Sequence, residues 1–99
     1  MLVISGTFEV PPGTEAVTIE ALTVMARASR AEKGCIKYAF WQNVEDATQF
    51  RVYEEWEDMD CLKAHGASEH MAAYRARMAD IGTSGRDISL FEPGKITKL

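Results

Sequence analysis

The sequence has little from which to build a metal centre, a membrane anchor or a nucleic-acid surface. Its two cysteines, Cys35 and Cys61, stand far apart and form no Cys-x-x-Cys. Neither has a partner at the spacing of a zinc site, so no metal is expected. The opening "MLVISGTFEV" lacks the basic flank and long apolar stretch of a signal peptide and reads as a strand. A cytoplasmic protein with two free thiols is the expectation. No apolar run approaches the ~20 residues of a bilayer span, so no membrane partner is expected. Basic residues form no cluster and the net charge is −4, which argues against a nucleic-acid partner. There is no repeat and no low-complexity linker. At 99 residues and 46% hydrophobic, the chain suffices for a single domain spanning 1–99 with a limited core.

What is present is alternation. Along the first strand Ile4, Gly6, Phe8 and Val10 share one face, and Val3, Ser5, Thr7 and Glu9 the other. Pro11 to Gly13 end it, because proline cannot donate to a ladder. Thr14 offers an N-cap oxygen and Glu15 suits a first helical turn. Val17, Ala21, Val24, Met25 and Ala28 predict a helix over 14–33 with a buried stripe, stopped by Gly34. Residues 35–43 alternate again, with Ile36, Tyr38 and Phe40 on one side and Cys35, Lys37, Ala39 and Trp41 on the other. Residues 48–56 do the same, with Phe50, Val52, Glu54 and Trp56 together, and the pair reads as a hairpin around "NVEDA". Asp58 caps a short helix holding Cys61, Leu62 and His65. Gly66 interrupts it, and Ser68 caps a second segment with Met71, Tyr74, Met78 and Ile81 on one stripe. Gly82 and Gly85 close that segment, and "RDISLFEP" is a last strand.

The order β-α-β-β-α-β predicts an α+β, ferredoxin-like fold: a four-stranded antiparallel sheet with the helices on one face. The other face would carry Val3, Ala39, Trp41, Tyr53 and Phe91, an apolar surface too large to leave in water. A second copy packed sheet to sheet, a two-fold homodimer, would cover it. The alternative is a monomer in which "GKITKL" folds over the sheet.

Three stretches together resemble the antibiotic biosynthesis monooxygenase superfamily: "GCIKY" (34–38), Phe-x-Val-x-Glu-x-Trp (50–56) and Leu-x-x-His-x-x-Ser-x-His (62–70). The opening strand followed by "PPG" extends the similarity, which is weakest after residue 80. The resemblance implies a dimeric α+β barrel with a cavity between sheet and helices in each subunit. It places Tyr38, Phe40, Glu54, Trp56, His65 and Tyr74 toward that cavity. The superfamily includes cofactor-independent quinol and anthrone oxygenases, haem-degrading oxygenases and an isomerase. The haem-degrading branch matches poorly: Tyr74 and Arg75 stand in the neighbourhood of its iron-binding histidine, and "ISGTF" where its first strand carries asparagine. Haem is not expected.

The chemistry this implies is oxidation of a small phenolic or quinol substrate by O₂ with no cofactor. His65 is the candidate base, with Glu54 orienting it where the two side chains meet. The same pair would serve equally as a structural link between strand and helix, since buried charges need partners. Tyr38, Phe40, Trp56, Tyr74 and Met71 would hold the aromatic substrate. Trp56 reads as readily as core filler, and Tyr74 and Met71 as core packing. His70 reads as a surface residue at a helix start, since its spacing from His65 is not that of two ligands on one helix face. Cys61 reads as a packed thiol. A non-enzymatic module binding a small hydrophobic ligand, or an isomerase using His65 and Glu54 without O₂, would use the same residues.

Overall fold

The computed structural model describes every residue, Met1–Leu99. The elements follow in the order β1 (Leu2–Glu9), α1 (Glu15–Arg30), β2 (Cys35–Asn43), β3 (Asp46–Trp56), α2 (Met59–Gly66), α3 (Glu69–Ile81) and β4 (Ser84–Phe91). The strands form one antiparallel sheet in the order β2-β3-β1-β4. This is the expected ferredoxin-like α+β arrangement, with its second helical unit broken into α2 and α3. No helix is long and apolar enough to cross a membrane.

Local chemistry explains the helix ends. The Thr14 hydroxyl, expected to cap α1, instead donates to the Pro11 carbonyl, and Glu15 accepts from the Gly13 N–H. The helix stops at Arg30, three residues before the predicted end, and a turn leads to Gly34 at φ +80°. The Asp58 carboxylate accepts from the Cys61 N–H at the start of α2. Ser68 accepts from the Met71 N–H and also donates to the His65 carbonyl, so one hydroxyl clamps the corner between α2 and α3. Gly82 ends α3 in the left-handed region, where a β-carbon is costly.

Two sidedness readings need correction. The buried stripe of α1 runs Thr18, Ala21, Leu22, Met25, Ala26 and Ser29. Val17 and Val24 are exposed. The small hydroxylated residues Thr18 and Ser29 are fully buried, and the larger valines are left outside. On β2 a bulge falls between Cys35 and Lys37: Cys35 pairs with Trp56 and Lys37 with Glu55. The extra residue turns Ile36 outward to solvent and brings Cys35 against the core. After the bulge the alternation resumes as expected, with Tyr38 opposite Glu54 and Phe40 opposite Val52.

The core lies between helices and sheet in two adjoining clusters. One joins Leu2, Met25, Tyr38, Val52 and Trp56, and the other Phe8, Leu22, Phe50 and Met78. Gly6 must be glycine, because a β-carbon there would collide with the Asp87 carbonyl on β4. On the opposite face Val3 is already buried between its register partners Glu55 and Phe91. Trp41 and Phe91 remain about half exposed. Residues 92–99 take no regular structure and leave Ile96 and Leu99 exposed.

Candidate active site

Six elements converge on one hollow of about 270 Å³ between sheet and helices, β1 through Ile4 and Phe8. β2 supplies Tyr38 and Phe40, β3 supplies Glu54, α2 supplies His65, and α3 supplies Met71 and Tyr74. Ile88 and Arg86 on β4 complete the wall. Of the seven side chains singled out in the sequence, six line this space. Trp56 does not: it is wholly buried behind it, at 0% exposure. A larger groove of about 400 Å³ lies between α1 and β2, but Arg27 and Arg30 are its only ionisable groups, so it holds no base.

His65 is 2% exposed and its ring packs against two aromatic rings. The Trp56 ring lies 4.6 Å away, centroid to centroid, and the Tyr38 ring 5.5 Å. Nδ1 lies 2.8 Å from Oε1 of Glu32. A carboxylate accepts there, so in the neutral ring Nδ1 carries the proton and Nε2 presents the lone pair. Nε2 is buried and has no hydrogen-bond partner within the protein. The nearest carboxylate on that side is Glu54, whose Oε1 is 4.0 Å away, too far for a hydrogen bond. The expected partnership is therefore divided. Glu32 orients the ring and Glu54 faces its reactive nitrogen.

Glu32 escaped the sequence reading because no periodicity marks it. It falls inside the helix predicted over 14–33, off its apolar stripe, but lies in the turn after α1, and it reaches His65 only once α2 folds back. Its Oε1 also meets Nε2 of His70, the first-turn residue of α3. Arg86 was missed for the same reason, since nothing in "SGRDIS" indicates which way a final edge strand faces.

Burial raises the Glu54 carboxyl to about 7. The Trp56 indole N–H, donating at 2.9 Å, and the Arg86 charge pull the other way, and Glu32 adds a further rise. Burial also pushes the Tyr38 hydroxyl up, with Glu54 contributing, and lifts Tyr74 to about 12. Both phenols thus stay neutral and can donate.

The Glu54 shift makes stability depend on pH. The folded protein keeps this proton up to about pH 7, whereas the unfolded chain releases it near 4.5. Between those values the folded state binds more protons, so stability is greatest below the lower value and falls as pH rises through 7. The loss is on the order of 3 kcal/mol. Glu54→Gln keeps an oxygen for the indole but carries no charge. Urea unfolding at pH 5 and pH 8 should show the variant more stable than the parent at pH 8, with a flatter pH dependence. An unchanged slope in the variant would show that Glu54 is not its source.

The sequence profile of the antibiotic biosynthesis monooxygenase family matches residues 1–77. The chain belongs to that family. It is 23% identical over 88 residues to the Bacillus subtilis protein "Putative monooxygenase YcnE", covering 89% of this chain and 93% of that one. It is 22% identical over 91 residues to the uncharacterized Synechocystis protein sll1783, covering 92% of this chain but only 62% of the other's length. Among solved structures, a Deinococcus radiodurans protein described as a "putative antibiotic biosynthesis monooxygenase" superposes with a TM-score of 0.93 at 20% identity, covering 100% of this chain and 98% of that one. Rv0793 of Mycobacterium tuberculosis gives 0.85 at 23% identity, covering 98% and 97%. At these identities the structural likenesses establish the fold, and the family match carries the membership.

Proposed function

We propose that this family member is a cofactor-independent monooxygenase of small phenolic or quinol substrates. The observation that carries the proposal is the buried, unpartnered Nε2 of His65, in the wall of an aromatic-lined hollow, while Glu32 holds the other ring nitrogen. A hollow of about 270 Å³ is at the small end for a ligand site, so it suits one compact ring system. Phe40 and Tyr74, with ring centroids 6.1 Å apart, offer apolar walls to a flat guest.

In this reading Nε2 removes a proton from the substrate hydroxyl. The resulting imidazolium lies between the carboxylates of Glu32 and Glu54. The electron-rich anion passes one electron to O₂, and the substrate radical and superoxide combine into a peroxide. His65 returns its proton to the peroxide, which eliminates water. One oxygen atom stays on the substrate as a carbonyl and the other leaves as water. The substrate loses two hydrogens, so no external reductant is required. Apolar walls exclude bulk water from the intermediates.

Oxygen uptake with a panel of quinols and anthrones, in chelator-treated buffer, tests this. One O₂ consumed per carbonyl formed is expected. Tight binding of the panel without uptake would replace the proposal with a ligand-binding module, and turnover under strict anaerobiosis with an acid–base isomerase.

A further inference from the structure

The Glu32 carboxylate touches two histidines, and only one of them faces the hollow. Ligand atoms of Glu32, His65 and His70 all lie within 4.8 Å of one another. They come from three separate parts of the chain: the turn after α1, the end of α2 and the first turn of α3. We propose that these three side chains form a binding site for a divalent transition metal of the zinc class, through Glu32 Oε1, His65 Nδ1 and His70 Nε2.

Three observations carry the proposal. First, two imidazoles and one carboxylate are a zinc donor set, and three protein ligands leave a fourth position for water. Ligand atoms about 2.0–2.1 Å from a tetrahedral ion stand about 3.4 Å apart. The His65–Glu32 separation of 2.8 Å and the 4.8 Å limit of the cluster bracket that spacing, so small side-chain movements suffice. Second, the side chains of Glu32 and His70 are 16% and 27% exposed, so the cluster is reachable from solvent. Third, a metal-bound histidine normally offers its other ring N–H to a carboxylate. Nε2 of His65 has no partner in the protein, and Glu54 stands 4.0 Å beyond it.

Binding at Nδ1 would move the His65 proton to Nε2. Nε2 would then carry a proton where it now presents a lone pair. Resting on the oxygenase reading above, the metal would switch off the base rather than take part in turnover.

The site is tested without turnover, on the full chain. Zn²⁺ should raise the thermal unfolding temperature in a concentration-dependent way. Loss of an outer-shell partner alone typically weakens a metal by about 10–100-fold. Loss of a ligand in His70→Ala should therefore weaken Zn²⁺ by at least about 100-fold. Glu32→Gln, which keeps an acceptor for both rings, should weaken it comparably. A Cys35→Ala, Cys61→Ala double variant should bind as the parent does. Co²⁺ should give ligand-field absorption without a thiolate charge-transfer band. Failure of Zn²⁺ to bind, binding that survives both ligand variants, or binding that disappears with the cysteines would each overturn the site. Because none of these readouts involves oxygen uptake, loss of the metal site leaves the oxygenase reading standing, and the reverse also holds.

Discussion

His65→Ala should lower quinol turnover by about 10²–10⁴-fold, the usual contribution of a positioned acid–base group. The more informative comparison is between the two carboxylates around that ring. Glu32→Gln still offers an oxygen to Nδ1–H but removes the charge that stabilises an imidazolium, so turnover should fall with little change in substrate binding. Glu54→Gln removes the charge facing Nε2, so the rise of turnover through about pH 7 that accompanies Glu54 ionisation should flatten. Oxygen-uptake profiles from pH 5 to 9 distinguish the two. Full activity in Glu32→Gln, with all the loss confined to Glu54→Gln, would return the orienting role to the strand carboxylate. Normal turnover in His65→Ala would leave the proposed chemistry without its base.

Trp56→Ala is expected to lose about 3–5 kcal/mol of stability, as truncation of a fully buried aromatic does. Domains of this size have about 5–15 kcal/mol in total, so the variant should lie close to unfolding at room temperature. Trp56 has 0% exposure, packs edge-on against Tyr38 and supports the His65 ring. Its indole N–H is also a donor to the buried Glu54 carboxylate. Trp56→Phe keeps most of the packing and removes only that donor. It should cost less and move the Glu54 carboxyl further upward, because the indole contact holds it down. Guanidinium unfolding of both variants provides the measurement. A loss below ~1 kcal/mol in Trp56→Ala would place the residue on an open surface instead.

The parts of the site that were legible in the sequence belong to single strands and helices. Tyr38 with Phe40, and Glu54 with Val52, share faces because a strand alternates with period two. Asp58 and Ser68 announced α2 and α3 through their capping chemistry, and both caps form. The misreadings occur where one residue changes the count. The bulge at Ile36 reverses sidedness for the residues before it, and the α1 stripe shifted because valine was favoured over Thr18 and Ser29 as a buried residue.

His65 and His70 show the limit most clearly. Five residues apart across Gly66, they do not share a helix face, and their spacing argued against joint ligation. The Ser68 clamp breaks the helix between them and folds both rings onto Glu32, more than thirty positions earlier in the chain. By itself the sequence determined the element order, the ferredoxin-like sheet and, away from the bulge on β2, which side chains the strands around the site send inward, because periodicity and capping are local properties of neighbouring residues. Only the tertiary structure decided that Glu32 and not Glu54 holds His65, that Trp56 lies behind the hollow and that His70 joins the cluster. Those relations depend on where separate elements cross, and the packing that brings them together leaves no mark on residue spacing.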